Sequence, residues 1–300
     1  MVSVIIPTYN SEQTIAACLN SVKVQKYLKE IIVVDNFSKD QTVKIAKKIT
    51  PLVFQIGPER SAQRNFGMQK AKAEWFFFVD SDQILSVNCL KDTIDSAKQN
   101  HLDAVIIYEL VKGNSYWSKC LNLEKQIYHE EYVNSQRTHG QSYTHSGSVL
   151  APRLIKKATL LKIGAFDEKL IAGEDWDLHE RLTDVGANIG ISKSPIRRKT
   201  LFIRRKGSLI RRKGPLIYNL EQNASFASIL KKKYYYAKNI KNYVQKHPGE
   251  FNIQAGFARF TTLFKQPKII LQNPSIFCGL IVLKFAQYLA YLLVKIKSDP

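Results

Sequence analysis

Two aspartates, Asp80 and Asp82, directly follow a run of five large apolar residues at 75–79. Such a run is typical of a strand that is buried on both faces of a parallel sheet. Because side chains at i and i+2 of an extended chain point the same way, both carboxylates should reach the carboxyl edge of the sheet, where ligands bind. Mg²⁺ or Mn²⁺ would relieve their mutual repulsion and would also bind phosphate oxygens. The pair alone fits an ordinary Asp-rich turn as well.

The elements that must position these carboxylates alternate between strand and helix patterns through the first 110 residues. This alternation predicts an α/β fold with a mostly parallel, doubly wound sheet. Strands are expected at 2–7, 30–35, 53–56, 74–79, 104–107 and 147–150. Helices are expected from Asn10 or Ser11 to about 24, and at 41–49, 61–73, 90–99, 154–162 and 175–185. The pattern weakens over 117–144, where a helix followed by a mobile loop is expected.

Further polar and aromatic residues stand where these predicted elements begin or end. Arg60 and Arg64 are one helical turn apart, so both guanidinium groups can face one side and bind phosphates or sugar hydroxyls. Glu174 and Asp175 open the helix expected at 175–185, where the helix macrodipole favours acids in any case. The other residues of this kind are Pro7, Tyr9, Asn10, Glu12, Asp35, Ser81, Trp176 and Arg181.

In this order and spacing the set resembles glycosyltransferase family 2, in its inverting, non-processive form. The blocks that carry the resemblance are Pro7-Thr8-Tyr9-Asn10, the strand end at Asp35, the segment 60–67, Asp80-Ser81-Asp82 and Gly173-Glu174-Asp175-Trp176-Asp177-Leu178. They cover residues 2–195 well and 220–236 weakly. The resemblance implies a GT-A-type doubly wound, mostly parallel sheet with a helical, basic C-terminal extension.

The resemblance also implies roles for individual residues. Asp82, and after it Asp80, would hold a Mn or Mg divalent cation on the donor diphosphate, where the metal acts as a Lewis acid. Asp175 would be the base that takes the proton of the acceptor hydroxyl, with Glu174 beside it. The residues implied at the acceptor are Trp176, Arg181 and His145. Those implied at the nucleotide-sugar donor are Pro7, Tyr9, Asn10, Glu12, Asp35, Arg60, Arg64, Asp80 and Ser81, with Asp35 on the base and Tyr9 packed against it.

The sequence departs from the family at two points. Many members carry a further metal-ligating His after the last strand of the domain, but 196–198 and 217–219 contain none. Asn219 or an Arg of the nearby repeat are the candidates to replace it. The Gln-x-x-Arg-Trp motif of processive synthases is also absent, which favours transfer of a single sugar.

Positive charge is concentrated in the second half of the chain. Residues 1–150 hold 17 Lys+Arg and 15 Asp+Glu, whereas residues 151–300 hold 28 and 10, so most of the net charge of +20 lies there. Ile-Arg-Arg-Lys occurs at 196–199, 203–206 and 210–213. A seven-residue period suits a coiled coil, but Gly207, Gly214 and Pro215 break a helix, which favours a basic surface loop or hairpin. The repeat is either an anchor for anionic lipid or an insertion without a role.

The C-terminal region carries features of a membrane surface. Three lysines precede three tyrosines at 231–236, a mixture typical of lipid headgroups. The apolar segment 276–294 is long enough to span a bilayer. Lys284 and Gln287 interrupt it and favour a helix that lies in the interface or packs on the protein, with a single span as the alternative. These patterns divide the whole chain into three predicted regions: a transferase domain at 1–195, a basic repeat insertion at 196–219 and a helical region at 220–300.

Together these patterns predict an inverting, metal-dependent glycosyltransferase that moves one sugar from a UDP- or GDP-type donor to a hydroxyl acceptor, such as a polyprenyl-linked saccharide. Its four scattered cysteines and the core strand that follows Met1 favour a cytoplasmic protein on the inner membrane face. One alternative is an inactive binding protein with a basic tail for nucleic acid or membrane. A nucleotidyltransferase is less favoured, because no Gly-rich loop follows the first strand.

Overall fold

The computed structural model describes residues 1–139, 151–192, 216–221, 224–248 and 260–298. Its strands are β1 (Val2–Thr8), β2 (Leu28–Asp35), β3 (Val53–Gln55), β4 (Trp75–Phe78), β5 (Gln83–Leu85), β6 (Ala104–Ile106), β7 (Tyr108–Lys112), β8 (Pro152–Lys156), β9 (Ile189–Ile191) and β10 (Leu216–Leu220). Its helices are α1 (Ile15–Lys23), α2 (Thr42–Lys47), α3 (Arg60–Lys70), α4 (Cys89–Gln99), α5 (Tyr116–His139), α6 (Lys157–Lys162), α7 (Glu174–Asp184), α8 (Phe226–Asn239), α9 (Lys241–Lys246), α10 (Pro267–Gln272) and α11 (Pro274–Ser298).

The main sheet confirms the predicted α/β fold. Its strand order is β3-β2-β1-β4-β8-β6-β9, and each neighbouring pair is parallel except those of β8, which runs antiparallel to β4 and β6. Every residue of β1 and β4 is buried, which explains their continuous apolar runs. The carboxyl ends of β1, β2 and β4 lie side by side and carry the block at 7–10, Asp35 and the block at 80–82.

Side chains alternate between the two faces of this sheet. Phe77 faces the core formed with α1 and α4, whereas Phe76 and Phe78 face the core formed with α3 and α7. Leu178 and Leu182, on one side of α7, are fully buried in the second core. This packing fixes α3 and α7, which carry the predicted arginine and carboxylate pairs, against the same face of the sheet.

A small second sheet, ordered β5-β10-β7, lies beyond the Asp80 turn. Its central strand β10 pairs antiparallel with β5 and parallel with β7. The end of the predicted repeat insertion is therefore a strand. The helix predicted at 154–162 is likewise wrong in its first part, because β8 covers that part and the helix begins at Lys157. The Ile-Arg-Arg-Lys units and the strand predicted at 147–150 lie outside the described residues.

The C-terminal helices pack on α5. Leu280 of α11 is buried against Cys120 and Leu123, and Leu283 is buried against Ile229 of α8. The opposite side of α11 leaves Val282 and Phe285 exposed, together with Tyr288 and Leu289. By length and composition Pro274–Tyr291 is able to cross a membrane, and 17% of that window is buried inside the protein. A helix of this kind is weak evidence for a span.

Candidate active site

A pocket of about 830 Å³ opens at the carboxyl ends of β1 and β4, a size suited to a small-molecule ligand. Helices α5, α8 and α11 contribute its other walls. The structure brings several of the predicted site residues to this pocket. They are Pro7, Tyr9, Arg60, Asp80, Ser81, Asp82 and Trp176.

Arg64 links the two predicted carboxylate blocks beside the pocket. Its Nη2 donates to Asp80 Oδ1 and its Nη1 donates to Asp175 Oδ1, each at 3.0 Å. The same Nη1 lies 3.6 Å from Glu174 Oε1. The Arg64 side chain is only 1% exposed. A buried guanidinium is stable only when it is paired in this way, so the arginine and the carboxylates hold one another in position.

Arg153 is a second cation at Asp80 that the sequence patterns missed. Its Nη1 contacts Asp80 Oδ2 at 3.3 Å, while its Nε donates to Glu109 Oε1 at 2.8 Å. Burial opposes ionisation of Asp80, but Arg153 and Arg64 outweigh it and hold its pKa well below the usual range. Both oxygens of Asp80 are therefore engaged by arginines, which leaves this carboxylate poorly suited to be the main metal ligand.

Asp82 differs from Asp80 in its surroundings. Burial, and then the neighbouring charge of Asp80, raise its pKa. No ion pair reaches its carboxylate within the described part of the chain. A cation beside Asp82 would offset both effects, and the order of the two carboxylates as metal ligands stays a prediction.

The residues present fit a metal ion whose coordination shell is completed by substrate phosphates and water. The described residues contain no group of three or more His, Cys, Asp and Glu side chains placed to hold a metal ion by themselves. Mg²⁺ typically binds through one or two carboxylates together with substrate phosphates and water, and Asp82 in an open pocket meets that requirement. Asn219, one predicted replacement for the missing His, already accepts a hydrogen bond from Gln83 at 2.8 Å and donates to Glu109 at 3.2 Å.

Glu174 and Asp175 lie in the first turn of α7, after Gly173 with its φ of +84°. Glu174 Oε1 is 3.0 Å from Arg60 Nη2, and burial, followed by the charge of Asp175, raises the pKa of Glu174. The Asp175 side chain is 31% exposed, whereas that of Glu174 is 5% exposed. Of the two carboxylates, Asp175 is the one that a substrate can approach.

Helix α9 supports this turn from behind, which no sequence pattern indicated. Tyr243 packs edge-on against Trp176, with ring centroids 5.4 Å apart, and donates to Glu180 at 2.6 Å. A Cβ atom on Gly173 would lie 2.7 Å from the Tyr243 ring. Gly173 is therefore required both by its backbone conformation and by this close contact.

Three predicted donor residues form a network next to the pocket without lining it. Asp35 is fully buried and accepts from Ser38 N at 2.9 Å and from Gln55 Nε2 at 3.1 Å. Asn10 N donates to Ser38 Oγ at 2.8 Å, and Glu12 accepts from the backbone of Gln41 at 3.0 Å. These contacts tie together the loops after β1 and β2. Direct contact of Asp35, Asn10 and Glu12 with a nucleotide stays a prediction.

Two predicted acceptor residues are not part of the described pocket. The guanidinium of Arg181 contacts Asp177 at 2.6 Å and donates to the carbonyl oxygens of Ile163 and Ala165. It joins α7 to the end of α6 and is not available to a ligand, which corrects the expected acceptor role. His145 lies outside the described residues. His129, in the stretch where the sequence pattern weakens, is buried within α5 against Tyr108.

The arrangement of the main sheet, the strand-end carboxylates and α7 defines a GT-A fold. It superposes on the mannosyltransferase PcManGT from Pyrobaculum calidifontis, solved in complex with GDP-Man and Mn²⁺, with a TM-score of 0.59 and 13% identity over 97% of this chain and 86% of that one. At this identity the likeness shows the fold alone. Residues 3–157 match the model of glycosyl transferase family 2, and the chain belongs to this family.

Two curated relatives carry more specific names. The poly(ribitol-phosphate) β-N-acetylglucosaminyltransferase TarS of Staphylococcus aureus is 34% identical over 187 residues, which is 58% of this chain and 30% of TarS. WfgD of Escherichia coli, a UDP-Glc:α-D-GlcNAc-diphosphoundecaprenol β-1,3-glucosyltransferase, is 31% identical over 141 residues, 45% of this chain and 56% of WfgD. The chain matches less than two thirds of the length of either relative.

Proposed function

We propose that the protein is an inverting, metal-dependent glycosyltransferase that moves one sugar from a nucleotide-diphosphate sugar to a hydroxyl acceptor. The observation that carries this proposal is the pair of contrasting carboxylates beside one pocket. Asp82 has no ion-pair partner in the described chain, whereas Asp175 is held by Arg64 and stays partly exposed. Asp82 suits the binding of a metal-bound diphosphate, and Asp175 suits the role of proton acceptor. Glycosyl transfer requires both.

The donor is proposed to lie across the ends of β1 and β4. Asp82 would hold the divalent cation, which supplies charge neutralisation to the leaving diphosphate when it is bound. Arg60 lies at the pocket and would contact a phosphate or sugar hydroxyl, as guanidinium groups do. Tyr9, which is more than half exposed at the pocket, offers an aromatic face to the base.

The chemical step requires one proton transfer and one displacement. The acceptor oxygen forms a bond to the anomeric carbon while the bond from that carbon to the diphosphate oxygen breaks, which inverts the configuration. Asp175 receives the hydroxyl proton. Because Arg64 holds Asp175 Oδ1 at 3.0 Å, the remaining oxygen, Oδ2, is the one proposed to accept the proton.

The acceptor is proposed to be a saccharide at a membrane surface, such as a polyprenyl-linked one, on the cytoplasmic face. The support is the excess of Lys and Arg in the second half of the chain and the exposed apolar side of α11. WfgD, by its name, acts on a diphosphoundecaprenol-linked sugar. Electrostatic attraction to anionic lipid and burial of α11 in the headgroup layer would act together.

The first test is a thermal-shift panel of UDP-, GDP- and TDP-sugars with and without Mn²⁺. Because a ligand that binds only the native state raises Tm, we expect a metal-dependent shift with one nucleotide class. Asp82→Ala should lose that shift, and Asp175→Asn should keep it but lose transfer. Full transfer by either variant would overturn the assigned roles. A folded protein that binds no donor, yet binds nucleic acid with steep salt dependence, would favour the inactive binding protein.

A further inference from the structure

One wall of the pocket is unusually rich in lysine. Lys125 on α5, Lys232 and Lys233 on α8, and Lys284 on α11 all line it. They come from three helices that are distant in sequence, so the cluster is created by the fold. Like charges at this density are unfavourable unless anions balance them.

Carboxylates of the protein balance three of these four lysines. Lys125 contacts Glu109 at 2.5 Å, Lys232 contacts Glu221 at 3.4 Å, and Lys284 pairs with Glu124. Burial works against ionisation of Glu124, but Lys284 and Lys233 outweigh it and lower its pKa. Of these three carboxylates, Glu124 and Glu221 line the pocket.

Lys233 is the remaining cation. No ion pair to it exists among residues in the described ranges. Burial, and then the ammonium group of Lys284, lower its pKa to about 8, although the charge of Glu124 acts in the opposite direction. The side chain is nevertheless open to the pocket. An accessible ammonium that is destabilised by its neighbours gains most from an anionic ligand.

We infer that Lys233, with Lys125 and Lys284 beside it, binds a phosphate group that the acceptor carries. This inference rests on the proposed function, because it assigns one wall of the same pocket to the second substrate. Two phosphate sources are conceivable: the acceptor and the donor diphosphate. Asp82 and its metal already provide for the donor, and the lysine wall includes the apolar side chains Leu121 and Ile229, which suit the start of a lipid chain.

The test uses hexyl diphosphate as a probe and titrates it calorimetrically into the full-length protein saturated with UDP and Mn²⁺. Hexyl β-glucoside serves as the uncharged probe and inorganic pyrophosphate as the lipid-free one. We expect saturable binding of hexyl diphosphate, weaker binding of pyrophosphate and little binding of the glucoside. Equal binding of pyrophosphate would show that Leu121 and Ile229 do not contact a lipid chain. Failure of both phosphate probes to bind would overturn the inference.

Matched variants assign the effect to Lys233. Lys233→Gln should lower the affinity for hexyl diphosphate about tenfold, the loss expected for one charge-assisted contact. Lys233→Arg should keep the wild-type affinity. Lys231→Gln is the control, because Lys231 is exposed on the same helix and does not line the pocket. Equal affinities in Lys233→Gln and Lys231→Gln would overturn the inference.

A further arm separates the two phosphate sources. UDP affinity is measured for each variant, and UDP is tested for competition with hexyl diphosphate. A parallel loss of UDP affinity in Lys233→Gln, with competition between the two ligands, would assign this wall to the donor and would overturn the inference while leaving the proposed transferase intact. Absence of any donor binding in the thermal-shift panel would instead contradict the proposed function, whatever the result with hexyl diphosphate.

Discussion

Arg64 Nη1 lies 3.0 Å from Asp175 Oδ1, and the second amino group of the same guanidinium contacts Asp80. A single buried side chain thus joins the end of β4 to the first turn of α7. The distance between the two carboxylates is set by the rigid, planar guanidinium. A displacement of the Arg64 side chain would therefore be transmitted to both Asp80 and Asp175.

Replacing Arg64 by Gln should damage both folding and transfer. Removal of the guanidinium leaves Asp80, Glu174 and Asp175 without a shared partner, so we expect a loss of about 3–5 kcal/mol in the free energy of unfolding. Misplacement of Asp175 should lower kcat at least about 100-fold. Urea denaturation and single-turnover transfer measure the two effects. Gln69→Ala, at the exposed end of the same helix, should change neither quantity.

Neutralising Asp80 and Asp82 should have opposite effects on stability. Asp80→Asn removes the partner of Arg64 and Arg153 and should cost about 2 kcal/mol or more at pH 7. Asp82→Asn removes a charge whose pKa is raised, so the apoprotein should be as stable as wild type or more stable. Urea denaturation of both variants without metal checks this difference, and a larger loss in Asp82→Asn would contradict it.

The same two groups predict how stability depends on pH. The pKa of Asp80 is lowered in the folded protein, so its contribution is present above the unfolded pKa of about 4 and is lost as the pH falls below it. The raised pKa of Asp82 acts in the opposite sense, because the folded state binds that proton more tightly. Between pH 5 and 3, wild type should therefore lose more stability than Asp80→Asn does, as urea midpoints would report.

Gly173→Ala should destabilise the first turn of α7 by two effects. The residue has a φ of +84°, and its new Cβ would lie 2.7 Å from the Tyr243 ring. Gly186→Ala is a matched control, since Gly186 has a φ of +71° but nothing within 4 Å of the added Cβ. Both variants should lose about 1–2 kcal/mol from backbone strain, and only Gly173→Ala should also lose transfer. Equal transfer by the two variants would show that the contact with Tyr243 does not position Asp175.

Much of the fold and part of the site were predictable because their signals are local. The strand ends at Asp80 and Asp82, the turn spacing of Arg60 and Arg64, and the acids before α7 are each visible in a few residues. Strand β10 was missed because Ile217 looks like the start of a further repeat unit. Its role depends on pairing with β5 and β7, which are far away in the sequence.

The charge network around the pocket was missed for the same reason. Arg153 lies on β8, and only the antiparallel insertion of this strand next to β4 places it near Asp80. Lys233 looked like part of a headgroup-binding run because its neighbours in sequence are lysines and tyrosines. Its actual neighbours, Lys125 and Lys284, come from helices that pack on α8. No local spacing encodes such contacts.

The two sides of α11 should respond differently to substitution. Leu283→Ala removes a fully buried side chain and should cost about 2–5 kcal/mol in the free energy of unfolding. Phe285→Ser changes a side chain that is 61% exposed and should leave unfolding nearly unchanged. If this side meets the membrane, Phe285→Ser should weaken co-sedimentation with vesicles of anionic lipid. Unchanged sedimentation of Phe285→Ser would contradict an interfacial role for α11.

Binding of hexyl diphosphate should weaken at alkaline pH. Lys233 is protonated below its pKa of about 8, and a bound phosphate favours that form, so affinity should fall as the pH rises above about 8. Lys233→Arg should remove most of this dependence, because arginine stays charged. Calorimetric titrations at pH 7, 8 and 9 measure it. The charged groups that act on Lys233 are Lys232 on the same helix, Glu124 and Lys125 on α5, and Lys284 on α11.

The Ile-Arg-Arg-Lys units stand between two fixed anchors, β9 in the main sheet and β10 in the small one. β10 follows the units and keeps Asn219 beside Gln83 of β5. The pocket is therefore assembled from chain segments on both sides of the basic units, and the return of the chain into the small sheet completes it.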